Sequence, residues 1–110
     1  MEHLNLNAIA ELKEVMEEEF GILIETFLQD SLERLDQLRQ ALSANDAEEF
    51  GRAAHSFKGS CTNIGATILS EHCLKAERMG KSGKIVNGDT LVQQIAEEFV
   101  IVDKLLRETL

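Results

Sequence analysis

The sequence predicts an all-α fold, an antiparallel up-down four-helix bundle with an additional short helix at its N-terminus. Three observations carry that expectation. Apolar residues recur at helical spacing through almost the whole chain, and no segment alternates with a period of two. The 110 residues contain no proline, which fits long uninterrupted helices. Capping and turn residues divide the chain into segments of bundle length.

Taking the elements in order, Asn7 can cap a first helix whose inner face is Ile9, Leu12, Val15 and Met16. The acidic run Glu17-Glu18-Glu19 reads as a solvated junction, or else as part of a partner-docking rim or as negative charge favoured at the start of the next helix. The second helix is expected from Phe20 to Leu42. Its stripe includes Phe20, Ile24, Phe27, Leu28, Ser31, Leu32, Leu35 and Leu38, and a stripe that long needs partners of similar length. Ser43-Ala44-Asn45 is a turn, and Asp46 with Glu49 three residues on reads as a capping box. The third helix ends near Thr62-Asn63. The fourth starts at Gly65 or Ala66 and runs to Met79 on an inner face of Ile68, Leu69, His72, Cys73, Ala76 and Met79, with Gly80 as its stop. Lys81-Ser82-Gly83-Lys84 is a polar turn. Asn87-Gly88-Asp89 opens a last helix striped by Ile95, Phe99, Val102, Leu105 and Leu106. The first helix is expected to lie across one end of the bundle formed by the other four.

Composition narrows the function. Residues 1–110 form one domain with a single core. A net charge of −9 argues against nucleic acid, since no basic stripe exists to neutralise phosphates, and against an anionic membrane surface. No apolar run approaches the roughly 20 residues of a membrane span. The first residues, Met1-Glu2-His3-Leu4-Asn5, lack the basic and apolar regions of a signal peptide, so a cytoplasmic location is expected. Cys61 and Cys73 both fall at core spacing and read as buried free thiols. Gly80-Lys81-Ser82 resembles the end of a phosphate-binding loop, but Lys75 stands where that motif needs a glycine, and the stretch follows a helix rather than a strand. A metal-binding bundle would need glutamate three residues before His55 and His72, where Arg52 and Leu69 stand instead.

One stretch breaks the helical rules. Phe50, Ala53, Ala54, Phe57, Cys61 and Ile64 line one face of the third helix. At about 100° per residue, His55 falls roughly 140° from the centre of that face, Lys58 about 80° and Gly59 about 180°. His55 should therefore face solvent, with a lysine beside it and bare backbone one turn on. A glycine inside an exposed helix costs about 1 kcal/mol relative to alanine, so stability does not explain Gly59. Clearance does: without a side chain there, another molecule can close over His55. A neutral imidazole is a good nucleophile near neutral pH, and a nearby lysine offers charge to phosphoryl oxygens. Ser56 beside His55 forms no catalytic triad, since nothing on a helix orients it as a nucleophile.

His55-Ser56-Phe57-Lys58-Gly59-Ser60-Cys61, followed by Ile64-Gly65-Ala66, resembles the signature of histidine-containing phosphotransfer (HPt) domains. Phe27-Leu28-Gln29-Asp30-Ser31 and the segment from Leu69 to Gly80 resemble the same family. The resemblance implies an up-down four-helix bundle and a phosphocarrier without kinase activity of its own. His55 would be the phosphoacceptor, taking a phosphoryl group from a receiver-domain aspartate and passing it to another, through the ring nitrogen farther from the backbone. Lys58 would stabilise the phosphoryl group, and Arg52, one turn before His55, would add charge or meet acidic partner residues. Many members carry a glutamine on the fourth helix facing the histidine. Counting from His55 that position is Glu77, which can orient the ring but would repel the phosphoryl group. His72 reads as a partly buried, hydrogen-bonded residue. The implied partners are receiver domains of response regulators and of hybrid sensor histidine kinases, with Mg²⁺ on the receiver and no cofactor on this chain. Docking is expected around His55 and on the second helix near Ile22 or Thr26. The histidine-then-proline box of dimerising kinases is absent, so a monomer is expected. A module that docks without being phosphorylated is the alternative, and the intact His55-Lys58-Gly59 set argues against it.

Overall fold

The computed structural model describes residues 2–110. It contains five α-helices and one short 3₁₀ turn. These are α1 (Leu6–Met16), the turn Glu17–Glu19, α2 (Phe20–Ser43), α3 (Ala47–Ile64), α4 (Thr67–Ser82) and α5 (Gly88–Arg107). No strand occurs among the described residues. The expected architecture is present: α2 packs on α3, α3 on α4, α4 on α5, and α5 back on α2. The short links between them make successive helices antiparallel. At about 1.5 Å per residue, the 24 residues of α2 span roughly 36 Å, which sets the 42 Å long axis of the molecule. Ile24, Leu38, Phe50, Phe57, Leu69 and Ile95 are all completely buried where the four stripes meet. Cys61 and Cys73 are free thiols inside this core, as expected. Burial and the neighbouring Cys73 push the Cys61 thiol up, so it packs as a small apolar group.

Helix ends follow local chemistry, and several differ from the expected ones. Asn5, rather than Asn7, caps α1, its side chain accepting from the Ala8 amide at 3.1 Å. Val15 points outward, 81% exposed, because α1 is held to the bundle mainly by Ile9, Leu12 and Met16. Glu17 leaves the helix with φ 51°, and the acidic run becomes a 3₁₀ turn that redirects the chain into α2. Leu32 lies off the α2 stripe at 52% exposure, and its neighbour Ser31 is buried, donating its hydroxyl to the Phe27 carbonyl at 2.7 Å. Asp46 caps α3 through the Glu49 amide at 3.1 Å, but Glu49 does not return the bond and instead pairs with Arg52. Gly65, at φ 80°, closes α3 in the left-handed region.

The one correction that bears on the site concerns Gly80. It does not end α4, which continues to Ser82 and closes at Gly83 with φ 78°. Gly80 is instead where α4 crosses α3. A Cβ there would lie 2.5 Å from both the Cα and the amide nitrogen of Gly51. The two helices thus touch backbone to backbone, one turn from His55 on α3 and just under one turn from Glu77 on α4.

Candidate functional site

His55 projects from the middle of α3 with its side chain 68% exposed. Its apolar neighbours Ala53, Ala54 and Phe57 are buried, so the helix face that anchors the bundle is also what turns the imidazole outward. Gly59 is exposed one turn on, and a side chain added there would meet no atom within 4 Å. The close approach of α3 and α4 brings Glu77 beneath the ring. Its Oε2 lies 3.0 Å from His55 Nδ1, and the glutamate itself is only 5% exposed.

A carboxylate in that position requires compensation, and two lysines supply it. Lys58 Nζ lies 2.6 Å from Glu77 Oε1, and Lys81 Nζ lies 3.2 Å from Glu77 Oε2. The Lys58 contact is an ion pair rather than an aligned hydrogen bond, because Oε1 has no partner of good hydrogen-bond geometry among the described residues. Lys58 first, then His55 and Lys81, hold the Glu77 carboxyl down to about 2, against the opposing effect of burial.

The ionised carboxylate fixes the chemistry of the ring. It has no proton to give, so Nδ1 must be the donor. A neutral imidazole with its proton on Nδ1 has its lone pair on Nε2, and Nε2 has no partner among the described residues. The nitrogen farther from the backbone is thus the one left open, on the ring's outward side. An open groove of about 690 Å³ runs beside it, lined by Gly51, Gly80, Arg52, Lys81 and Glu48 along with His55 and Glu77.

His55, Lys58, Gly59 and Glu77 therefore converge as the sequence predicts. Arg52 faces the same groove, but its guanidinium pairs with Glu48 at 3.1 Å and Glu49 at 3.3 Å on its own helix. His72 is partly buried as expected but not hydrogen-bonded: its Nδ1 is enclosed without a partner among the described residues. Lys81 was not foreseen as part of the site, although its i,i+4 spacing from Glu77 is a readable signal. Gly51 was not foreseen either, since a buried glycine next to an exposed arginine carries no sequence signal of its own. Ile22 (68% exposed) and Thr26 lie on the outer face of α2. Thr26 borders a smaller apolar groove with Leu12, Met16, Leu23, Phe27 and Ile64. No group of three or more histidine, cysteine or acidic side chains among the described residues is arranged to hold a metal ion, and no helix is long and apolar enough to cross a membrane.

Known proteins resemble this chain in fold and in sequence. The crystal structure of histidine-containing phosphotransfer protein B (HptB) from Pseudomonas aeruginosa PAO1 superposes with a TM-score of 0.93 at 40% identity, covering 97% of this chain and 93% of that one. Over 59 residues, 54% of its length, the chain is 36% identical to the sensor protein TorS of Escherichia coli (strain K12), of which it spans 6%. The family model for the Hpt domain matches residues 22–107, from the second helix through the last. With that match covering most of its length and the fold shared almost end to end, the chain belongs to the Hpt domain family.

Proposed function

We propose that this chain is a histidine phosphotransfer protein of a multistep phosphorelay, carrying a phosphoryl group on His55 between receiver-domain aspartates. The observation that carries the proposal is the His55 ring, outward-facing on a rigid helix, with Nδ1 engaged by the buried Glu77 and Nε2 open. In this reading Nε2 attacks the phosphorus of a receiver's aspartyl phosphate, and the carboxylate leaves. Lys58, 28% exposed, pivots toward the phosphoryl oxygens while keeping contact with Glu77, since an ammonium has three donors. Gly59 gives the partner's active site room to close. Arg52 meets acidic groups at the receiver's rim, and Glu77 holds the ring.

The chain acts as a carrier and not as a kinase. The receiver supplies the Mg²⁺ and the acidic pocket, so catalysis rests on positioning shared between two proteins. The partners are receiver domains of response regulators and hybrid sensor histidine kinases. Residues 1–110 work as one monomeric domain in the cytoplasm, docking through the surface around His55 and the apolar patch near Ile22 and Thr26.

The test is phosphoryl transfer from a phosphorylated receiver to wild type and to His55→Gln. Acid-labile label on wild type alone supports the carrier reading. Label on neither protein across a panel of donors favours a module that docks without phosphorylation. Label retained on His55→Gln moves the phosphoacceptor elsewhere, with His72 the next residue to replace.

A further inference from the structure

We infer that Glu77 keeps a proton on Nδ1 of His55 while the phosphoryl group sits on Nε2, making His55 a short-lived, strongly donating phosphohistidine. The inference rests on the phosphocarrier reading and concerns what the buried carboxylate adds to it.

The electron balance sets the requirement. In loading, the Nε2 lone pair forms the N–P bond, and the P–O electron pair returns to the receiver's aspartate. The Nδ1 proton stays, so the product ring is a cation. In unloading, the N–P electron pair returns to Nε2 as an acceptor oxygen bonds to phosphorus. If Nδ1 still holds its proton, the leaving group is a neutral imidazole. If that proton has been lost, the leaving group is an imidazolide anion, which leaves far more reluctantly. Fast transfer in either direction therefore depends on what faces Nδ1.

Here an anion faces it. Glu77 Oε2 is 3.0 Å from Nδ1, and the carboxylate is 5% exposed, so solvent has little access to the anion's side of the pair. An opposite charge this close favours the cationic ring. The remaining charged groups around the site come from the same two helices. On α3, Lys58 pairs with Glu77 and Arg52 is occupied by Glu48 and Glu49; on α4, Lys81 pairs with Glu77. Both lysines contact the carboxylate and are available to the phosphoryl oxygens. One cluster thus carries both charges the carrier needs, cations for the phosphoryl group and a carboxylate for the ring proton.

Glutamine at this position separates charge from geometry. Its carbonyl oxygen can accept from Nδ1–H as the carboxylate does, so ring orientation survives in Glu77→Gln while the charge is lost. The experiment loads wild type and Glu77→Gln with phosphoramidate, a small-molecule donor that needs no receiver, and follows loss of acid-labile phosphate at pH 5 and pH 8. At pH 8 the phosphohistidine of Glu77→Gln should last about tenfold longer than that of wild type. At pH 5, where the solvent supplies protons freely to either ring, the lifetimes should agree within about twofold. Nitrogen-15 spectra of phosphorylated wild type at pH 8 provide a second reading that needs no variant, and Nδ1 should be protonated there. Equal lifetimes at both pH values, a shorter lifetime for Glu77→Gln at pH 8, or an unprotonated Nδ1 in wild type would each overturn the inference while leaving the carrier reading intact. Failure of wild type to take any label on His55 would overturn both.

Discussion

The molecule contains two buried glutamates that each touch a histidine, and only one of them belongs to the candidate site. Glu77 Oε2 lies 3.0 Å from His55 Nδ1, and Glu98 Oε2 lies 2.7 Å from His3 Nδ1. The carboxylates are equally buried, at 5% and 6% exposure. Their surroundings differ. His55 is fixed in the middle of an 18-residue helix, whereas His3 lies in the segment ahead of α1, tied down by Leu4 in the core and by the bond from the Asn5 amide to the Gly65 carbonyl. Two lysines converge on Glu77; among the described residues His3 alone pairs with Glu98. An exposed glycine stands one turn from His55, and nothing comparable flanks His3. A histidine on a buried carboxylate is therefore a poor marker of function. The convergent cations and the cleared approach are what set the His55 ring apart from the His3 one, and on the carrier reading they separate a reactive ring from a tether.

Replacing each histidine in turn tests that contrast most directly. His55→Gln should abolish acid-labile phosphorylation by a receiver, with the fold intact. His3→Gln should leave transfer unchanged and lower stability by about 1 kcal/mol, read as a urea midpoint shift. Equal phosphorylation of both variants would dissolve the distinction. Next in size is the cation. Lys58→Ala should slow receiver-to-His55 transfer by about ten- to a hundredfold in a rapid-quench assay, since on the carrier reading it removes the cation that pivots toward the developing charge.

The Glu77 carboxylate also leaves a mark on stability. Its folded value is lowered from 4.5 to about 2, so the stabilisation it provides is full above pH 4.5 and disappears as pH falls toward 2. Thermal midpoints of wild type should drop across that window, and those of Glu77→Gln should drop less. An identical pH profile for the two would mean that the lysines do not hold the charge. The smallest effect is the most diagnostic of clearance. Gly59→Ala should stabilise the helix by about 0.5–1 kcal/mol, because the added methyl meets nothing in this chain. The same variant should accept phosphate more slowly from a receiver, yet normally from phosphoramidate, because only the protein donor has to fit over the ring.

Much of this was legible in the sequence because helical periodicity and local motifs are short-range signals. Phe50, Phe57, Leu69 and Ile95 sit at stripe positions and are all fully buried. His55, Lys58 and Gly59 lie within one turn of helix, so their mutual placement follows from helix geometry alone. Errors arose where a third element decides. Val15 and Leu32 fit a stripe by spacing, but nothing packs over them. Gly80 looked like a stop because glycine usually ends a helix; here it serves the crossing with Gly51, a residue 29 positions earlier whose part in the contact no local pattern reveals. Glu77 was reached through the family pattern, while its second lysine was assigned to a loop because α4 was expected to end too early.

The glycine crossing also bears on how fast partners can come and go. Backbone held directly against backbone at Gly51 and Gly80 leaves no side chain at that crossing to repack, so His55 and its carboxylate arrive at each encounter already in register. Only the ends of Lys58 and Lys81 need rearrange, over picoseconds to nanoseconds. On the carrier reading, association should then be limited by diffusion and orientation rather than by a slow conformational step, and most of the binding energy can go into discriminating among receivers instead of ordering the site. If the chain is the shuttle proposed above, releasing each partner to meet the next, it gains from a surface that needs no remodelling on either visit.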